Sequence, residues 1–268
     1  MAHNSFLSKN EILEILKPYS IFILKNIKIL DGGSENTNYK IDSEIGTFVL
    51  TISEQKTVKE TQDLTKLLIY LKKNSFETSE IIFTTNNKSI SVFKDKPVML
   101  KSFINGSIMT DLPNHLLEEI GKDTAALHNI KPPDFLREIM WCGIERFSEV
   151  EQYALNSSFD LWLKRTSIYI NNHITSDLPK AFIHSDIFAS NIIVNDKKSK
   201  ATIMDFEEAS YYYRLFDIAI LIISLCSRDE NIDFLRASLI LKGYNSINKL
   251  IKAETQALQP LVVYAAAG

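Results

Sequence analysis

The first fifth of the chain shows a short helical pattern of apolar positions, followed by a strand pattern. Ser8 and Glu11 have the spacing of a helix capping box, and apolar residues recur at helical spacing after them. Residues 21–52 instead show apolar runs and period-two alternation, interrupted by turn-forming residues at 31–34 and at Gly46. We predict a short helix followed by an antiparallel meander.

The following segment adds one helix and more strands. An amphipathic helix is predicted by leucines at helical spacing, namely Leu64, Leu67, Leu68 and Leu71. Strand-like runs come next, at 81–84, 89–93 and 98–104. Asn105 and Gly106 form a turn signal that ends this β-rich part of the chain.

Almost all of the chain beyond residue 105 shows helical periodicity. Pro113 suits the first position of a helix whose Gly121 and Ala125 would let another element approach closely. Two further helices are predicted at 159–174 and 218–226, and the second is apolar on all sides and therefore central. Three short strand-like pieces lie between these two helices, at 181–183, 191–194 and 201–204.

These patterns predict an α+β fold of two lobes. Residues 1–104 would form a small antiparallel-sheet lobe, and residues 105–268 a larger, mostly helical lobe. A length of 268 residues with 45% hydrophobic and 24% charged residues is typical of a globular enzyme. The formal charge is only −3, which argues against a general nucleic-acid-binding protein.

The cysteines and the longest apolar run indicate the compartment. Cys142 and Cys226 have no companion at metal-ligand or redox spacing, so we predict that both are small buried residues. The run at 218–226 is about half as long as a bilayer span. We therefore expect a soluble, reduced, cytoplasmic protein with neither a nucleic-acid nor a membrane partner. Oligomeric state has no signature in the sequence.

The candidate catalytic residues lie in the strand-like pieces between the last two predicted helices. Asp186 and Asn191 lie on a predicted tight loop, and Asp205 ends the hairpin that returns to it. Phosphoryl transfer needs such a convergence, because the protein mainly positions a hydroxyl group and holds Mg²⁺ with oxygen ligands. The alternative is structural: His184 and Asp186 would stabilise the loop by hydrogen bonding, and Asp205 would cap a turn.

The pattern His184-x-Asp186-x4-Asn191, followed by Asp205-Phe, resembles the protein-kinase-like fold in its small-molecule branch of aminoglycoside and choline kinase-like phosphotransferases. The resemblance implies that Asp186 accepts or orients the substrate hydroxyl and that Asn191 and Asp205 hold Mg²⁺. His184 would brace the loop. Asp217 matches a family aspartate that supports the catalytic loop from the following helix.

A second motif, Gly-Gly-Ser-Glu-Asn-Thr-Asn-Tyr at 32–39, lies between two predicted strands. Alone it fits a hairpin, although glycines also let backbone amides approach phosphate oxygens. With the strand after Gly46, it is similar to bacterial homoserine kinases of the aminoglycoside-kinase-like type. The resemblance implies an N-terminal nucleotide-binding lobe with ATP bound by Gly32, Gly33, Ser34, Asn36, Thr37, Asn38, Thr51, Lys101 and Phe103.

One position departs from the general kinase pattern. Thr51 stands where kinases of this fold usually place the lysine that binds ATP phosphates. In most kinases this change would suggest an inactive protein, whereas the resemblance to homoserine kinases implies threonine there. Lys56 and Lys59 are the nearest cations that could replace the charge. Glu60 matches the lysine-pairing glutamate only loosely and also fits a solvent-exposed helix position.

The residues that would bind the acceptor follow Asp205 in the sequence. Glu207, Glu208 and Arg214 place both signs of charge there, as an amino-acid alcohol with an ammonium and a carboxylate group would need. A solvent-exposed turn with a structural arginine fits the same residues equally well. Trp141 and Trp162 are expected in the core rather than in an ammonium-binding site.

The sequence thus predicts an ATP- and Mg²⁺-dependent kinase that phosphorylates a small-molecule hydroxyl, with L-homoserine, on the route to threonine, as the leading acceptor. Choline or ethanolamine, methylthioribose and an aminoglycoside are alternative acceptors. A nucleotide-binding pseudoenzyme is a further alternative. Thr51 favours it, as does a chain that stops at Gly268, earlier than homoserine kinases usually do.

Overall fold

The computed structural model describes residues 6–30, 35–141 and 143–268. The chain divides into two compact units, Met1–Ile104 and Asn105–Gly268. The first unit contains, in chain order, α1 (Lys9–Leu16), β1 (Leu24–Leu30), β2 (Asn36–Ser43), β3 (Thr47–Ser53), α2 (Val58–Lys73), β4 (Ile81–Ile82), β5 (Ser91–Phe93) and β6 (Lys96–Ser102).

The first helix begins at the predicted capping box. The Ser8 hydroxyl accepts a hydrogen bond from the Glu11 amide at 3.3 Å, and the Glu11 carboxylate accepts one from the Ser8 amide at 2.8 Å. These bonds satisfy amide groups that have no partner within the helix itself. The prediction of this helix and of its first residue is confirmed.

Within the described residues, six strands form one antiparallel sheet in the order β1-β2-β3-β6-β4, with β5 also paired to β6. Successive side chains on a strand point to opposite faces of a sheet. Tyr39 and Leu50 pair across β2 and β3 and join the apolar cluster that contains α1. Asn38 and Thr51, one position along, share the other face. The predicted antiparallel meander is confirmed.

The second unit is mostly helical. It contains β7 (Ser107–Ile108), α3 (Asn114–His128), α4 (Glu151–Ala154), α5 (Ser158–His173), β8 (Lys180–Ile183), β9 (Ile192–Val194), β10 (Ala201–Ile203), β11 (Ser210–Tyr213), α6 (Leu215–Cys226), β12 (Ser227–Arg228), β13 (Asn231–Ile232), α7 (Phe234–Ile247) and α8 (Lys252–Ala267). Short 3-10 helices cover Ile144–Val150 and Ala189–Asn191.

Helix α6 lies inside the second unit. Ten of its twelve residues are buried, and it packs against α7 and α8. Its apolar sequence therefore predicted its central position correctly. Asp217 is the one charged residue of this helix and is fully buried. Within residues 6–30, 35–141 and 143–268, no helix is both long enough and apolar enough to cross a membrane.

Helices α3 and α7 pack closely through two glycines. A Cβ atom added at Gly121 would overlap the carbonyl oxygen of Ile240, and one added at Gly243 would overlap that of Glu118. The backbones can approach this closely only because neither position carries a side chain. The prediction that Gly121 admits a neighbouring element is confirmed.

The structure differs from the sequence-based expectations at several residues. Pro113 is the N-cap of α3, one position before the predicted one. Trp141 and Trp162 are 57% and 41% exposed, so their assignment to the core was wrong. Cys226 is buried as predicted, whereas Cys142 lies outside the described residues.

Strand β11 was not predicted. It pairs with β8 in an antiparallel register that sets Ser210 opposite Ile183 and Tyr212 opposite Ala181. Its four residues are too short a segment for an alternating pattern to identify a strand. The pairing holds the chain after Asp205 against the strand that leads into the loop of Asp186.

We expect Gly121→Ala to destabilise the second unit. The new methyl group must displace the α7 backbone, and such overpacking costs about 1–3 kcal/mol. Urea unfolding of the purified protein measures this loss. The control is Ala126→Ser on the exposed side of the same helix, which should change stability by less than about 0.5 kcal/mol. Equal stability of the two variants would contradict the close packing.

Candidate active site

Asp186 and Asn191, which the sequence predicts to converge, are in direct contact. The Asn191 side-chain amide donates hydrogen bonds to the Asp186 carbonyl oxygen at 2.9 Å and to the Asp186 carboxylate at 2.8 Å. The short helical turn that ends at Asn191 brings its side chain back towards Asp186, and the Phe188 amide also donates to the Asp186 carbonyl at 2.8 Å. One carboxylate oxygen of Asp186 is thereby held in place.

His184 braces the loop through both ring nitrogens. Its Nδ1 atom accepts a hydrogen bond from the Asp186 amide at 3.2 Å, so the ring proton must be on Nε2, which donates to the Met204 carbonyl at 2.9 Å. The ring also packs on Phe206, with centroids 4.5 Å apart. His184 therefore ties the loop to the segment that carries Asp205.

Asp217 anchors the same loop from α6. Its carboxylate accepts hydrogen bonds from the backbone amides of His184 and Ser185, each at 2.8 Å. A third donor is the Nε2 atom of His128, at 3.0 Å. The buried charge is thus satisfied by three N–H groups, which is what allows an ionised carboxylate to exist in an apolar interior.

His128 is a supporting residue that motif analysis did not assign a role. It lies in the last turn of α3, and its Nδ1 atom is 2.9 Å from the Tyr244 hydroxyl on α7. Burial raises the pKa of Tyr244, so its hydroxyl stays protonated and donates a hydrogen bond to Nδ1. His128 lies 89 residues before Asp217, and no local pattern connects them.

Two residues near the loop have left-handed backbone conformations. Ser185 has φ +71° and Asp205 has φ +67°. Such conformations are uncommon for residues with a side chain and persist where surrounding contacts impose them. Ser185 has these contacts: its amide donates to Asp217 and its hydroxyl lies 2.8 Å from that of Ser210.

The charges around Asp186 affect its acidity. Burial raises the pKa of its carboxyl group above the ordinary value, and the negative charges of Asp205 and Asp217 act in the same direction. The hydrogen bond from Asn191 opposes this effect. A carboxylate with a raised pKa accepts a proton more readily.

Asn191 and Asp205 offer oxygen atoms that suit a divalent cation. The Asp186 carbonyl can only accept, so the Asn191 atom facing it is Nδ2, and Oδ1 remains for another partner. In the part of the chain that the structure describes, no group of three or more His, Cys, Asp or Glu residues could hold a metal. Mg²⁺ does not need one, because nucleotide phosphates and water complete its coordination.

The predicted nucleotide-binding residues of the first unit are described only in part. Three of them lie outside the described residues, namely Gly32, Gly33 and Ser34. Thr51 donates a hydrogen bond from its hydroxyl to Asn38 Oδ1 at 2.7 Å. Lys101 lies on the same face of the sheet, two residues beyond Met99, which is the β6 partner of Thr51.

The remaining predicted nucleotide residues do not all share that face. Thr37 is buried on the opposite face, where its hydroxyl donates to the Glu54 carboxylate at 2.6 Å. Asn36 begins β2 on the face away from Thr37. Phe103 follows β6, and the Lys40 ammonium group lies 4.5 Å from its ring centroid. The alternation of β2 thus separates Thr37 from the other predicted residues.

Among the charged residues that follow Thr51, Lys56 and Glu60 have local partners, whereas Lys59 is exposed. Lys56 contacts the Glu35 carboxylate at 2.5 Å, and Lys59 is exposed in the first turn of α2. Glu60 accepts hydrogen bonds from the amide and hydroxyl of Thr57, at 2.8 and 2.7 Å, and completes the capping box of α2. Helix capping therefore determines the position of Glu60.

The acidic residues of the predicted acceptor site contact a cation that sequence patterns did not identify. Arg137 donates to the carbonyl oxygen of Glu207 and to the carboxylate of Glu208, the second at 3.2 Å. It lies 71 residues before Glu208 in the chain, so spacing alone gave no signal for the pair.

The structure favours a structural role for Arg214 over a role in substrate binding. Its Nε and Nη2 atoms each donate to a carboxylate oxygen of Glu254 at 2.7 Å. The Glu254 side chain is fully buried. Arg214 therefore compensates a buried charge on α8 and stabilises the packing of this helix.

The fold and this loop are those of a small-molecule kinase with a protein-kinase-like architecture. The chain belongs to the phosphotransferase enzyme family (APH), whose sequence model matches residues 26–247. Members of this class transfer a phosphoryl group to a hydroxyl acceptor.

Relatives in sequence include two homoserine kinases. That of Rhizobium meliloti (strain 1021) is 24% identical, with 96% of this chain and 81% of the relative covered. That of Bartonella henselae (strain ATCC 49882 / DSM 28221 / CCUG 30454 / Houston 1) is 25% identical, covering 96% and 83%.

Solved structures with the same fold include a microcompartment-associated aminopropanol kinase, with a TM-score of 0.74 at 15% identity, covering 95% of this chain and 86% of that one. A spectinomycin phosphotransferase in complex with ADP and spectinomycin has a TM-score of 0.71 at 18% identity, covering 96% and 84%. At these identities the likeness shows the shared fold.

We expect Asp217→Asn to destabilise the protein by about 3 kcal/mol or more, because an amide NH₂ would replace an acceptor opposite N–H donors in a buried site. Urea unfolding measures the change. Asp229→Asn, the same substitution at an exposed position of this unit, is the control and should have little effect. Equal stability of both variants would refute the anchoring role.

Arg214→Gln should lower the free energy of unfolding by about 3–5 kcal/mol, since it leaves the Glu254 carboxylate buried without its cation. The affinity for the acceptor should stay unchanged. Thermal unfolding and the KM for the acceptor test the two parts separately, with the exposed Arg165→Gln as control. A raised KM in a variant of normal stability would restore the substrate-binding interpretation.

Proposed function

We propose that the chain transfers the γ-phosphate of ATP to the hydroxyl group of L-homoserine, on the route to threonine. The observation that carries the reaction type is the Asp186 carboxylate held by Asn191 next to Asp205. The proposal of homoserine is supported by the relatives of that name, which align with almost the whole chain.

Asp186 would act on the acceptor hydroxyl. One of its carboxylate oxygens receives the Asn191 hydrogen bond, and the other can accept the hydroxyl proton. As the hydroxyl oxygen bonds to the γ-phosphorus, the bond to the bridging oxygen breaks, ADP leaves and the proton passes to Asp186. Burial of this carboxyl favours that transfer, because it raises the pKa.

Asn191 Oδ1 and the Asp205 carboxylate would hold Mg²⁺, which neutralises negative charge on the phosphates. A solved structure of an amicoumacin kinase of this fold is described with AMP-PNP and Ca²⁺, which supports the use of a nucleotide and a divalent cation. His184 and Asp217 would keep the loop in position without contacting the reacting atoms.

The first unit would bind the nucleotide through the polar face of its sheet. Asn38, Thr51 and Lys101 share this face, and Phe103 follows β6, the strand that carries Lys101. Gly32, Gly33 and Ser34 would bind phosphates through backbone amides, as we infer from the sequence alone. The Thr51 hydroxyl replaces a cation at this position, so phosphate binding must rely more on amides and on the metal.

A second candidate keeps the chemistry and changes the acceptor. The similarity in fold to an aminopropanol kinase and to a Plasmodium vivax ethanolamine kinase favours a small amino alcohol without a carboxylate. Choline, methylthioribose and aminoglycosides belong to the same panel of acceptors. A pseudoenzyme would bind nucleotide and phosphorylate none of them.

We expect Asp186→Asn to lower kcat with L-homoserine by about 10²- to 10⁴-fold, because a positioned proton acceptor is lost while the Asn191 hydrogen bond can persist. The measurement is ADP release from Mg²⁺-ATP in the presence of L-homoserine, choline, 5-methylthioribose or kanamycin.

Asp229→Asn is the matched control and should retain wild-type turnover. Near wild-type turnover in Asp186→Asn would disprove the assigned role of Asp186. Turnover with another acceptor and none with homoserine would identify the second candidate as correct.

A further inference from the structure

The segment between β10 and β11 is attached to the catalytic loop at both ends. At its start, the Met204 carbonyl accepts from His184 at 2.9 Å, and the Met204 amide donates to the Asn191 carbonyl at 2.9 Å. At its end, the Ser210 hydroxyl lies 2.8 Å from that of Ser185. The middle of the segment, with Glu207 and Glu208, is therefore tethered on both sides to the loop that carries Asp186.

Chain geometry limits how far Glu208 can lie from this loop. Consecutive Cα atoms are about 3.8 Å apart, so two residues separate the Cα atoms of Glu208 and Ser210 by at most about 8 Å. Ser185, which contacts Ser210, is the neighbour of Asp186 in sequence. A short path of contacts therefore joins Glu208 to the loop that carries Asp186.

Arg137 is held against this segment by backbone and side-chain contacts. Its guanidinium group donates to the Glu207 carbonyl and, at 3.2 Å, to the Glu208 carboxylate. Its own carbonyl accepts from the Tyr211 amide at 2.8 Å. The guanidinium group and the backbone of Arg137 are thus each hydrogen-bonded to the main chain of this segment.

The Arg137–Glu208 ion pair remains accessible to a ligand. The Arg137 side chain is 41% exposed and that of Glu208 is 26% exposed. A guanidinium group has five N–H donors, and the two contacts described here use only part of them. An exposed pair of this kind contributes little to stability, so a ligand can replace the contact at small cost.

Other arginines near this segment are committed to protein partners. Arg214 is bound by both oxygens of the buried Glu254. Arg146 donates to both oxygens of Glu149, at 2.8 and 3.2 Å, and stacks on the Trp141 ring. Arg137 differs from them because it contacts one oxygen of its carboxylate partner rather than both.

We propose that Arg137 and Glu208 form the subsite for the zwitterionic end of the acceptor, with Arg137 binding the α-carboxylate and Glu208 the α-ammonium group. The inference rests on the proposed function and specifies how homoserine is selected. The ammonium and carboxylate groups of an α-amino acid are attached to the same carbon atom. When the ligand binds, its two groups would replace the direct contact between Arg137 and Glu208. Arg137 is then a specificity-determining residue, because its planar fork matches a carboxylate.

The test uses two acceptors that differ only in the group that Arg137 would bind. 3-Aminopropan-1-ol is L-homoserine without its carboxylate. In Arg137→Gln we expect kcat/KM for L-homoserine to fall about 10- to 100-fold, mainly through KM, because a charge-assisted contact is lost. The kcat/KM for 3-aminopropan-1-ol and the KM for ATP should change by less than about threefold.

The control is Arg228→Gln, which removes another exposed arginine paired with a carboxylate, that of Asp111. It should leave both acceptors unaffected. If the melting temperature shows that Arg137→Gln does not fold, Arg137→Lys replaces it. This variant keeps the positive charge but loses the planar guanidinium group. It should show the same selective fall in kcat/KM for homoserine, by a smaller factor.

Two results would overturn the inference alone: an equal loss with both acceptors, or an unchanged preference for homoserine. Both presuppose that the wild-type protein phosphorylates homoserine. If the wild-type protein does not use homoserine, the proposed function fails and this inference fails with it. The wild-type measurements therefore separate the two cases before any variant is compared.

Discussion

The buried carboxylate of Asp217 is the constraint on which the rest of the proposed site depends. A charge inside the apolar helix α6 is tolerable only if hydrogen-bond donors surround it. Two of its three donors are backbone amides of the loop that carries Asp186, so the loop cannot leave without exposing an unsatisfied charge. The left-handed conformation of Ser185 follows from the same contacts. Asp217 thus contributes both to the position and to the backbone shape of the loop.

The packing of the helices in the second unit supplies one of the hydrogen-bond donors to the Asp217 carboxylate. The glycines at 121 and 243 allow α3 and α7 to approach closely. This approach brings His128 from α3 and Tyr244 from α7 within hydrogen-bonding distance of each other, and His128 provides the third donor to Asp217. Close helix packing and loop geometry are therefore parts of one arrangement, which extends from the interior to the surface.

The burial of an ion pair distinguishes charged residues with a structural role from those that a ligand can contact. The guanidinium of Arg214 and the carboxylate of Glu254 satisfy each other in a buried pair, so neither can bind a ligand without leaving the other uncompensated. The pair of Arg137 and Glu208 is exposed, and breaking it costs little. Burial, rather than proximity to Asp205 in sequence, thus separates the structural Arg214 from Arg137, which the proposal assigns to the substrate.

The sequence by itself determined the local features of this protein. The capping box of Ser8, the alternation of β2 and β3 and the apolar character of α6 arise from neighbouring residues, and each has the predicted structure. The meeting of Asp186 and Asn191 was also predictable, because it spans five residues of one tight loop. Only the tertiary structure decided which distant side chains meet: His128 with Asp217 across 89 positions and Arg137 with Glu208 across 71. The physical reason is that such contacts depend on how helices pack, and separation along the chain carries no information about that packing.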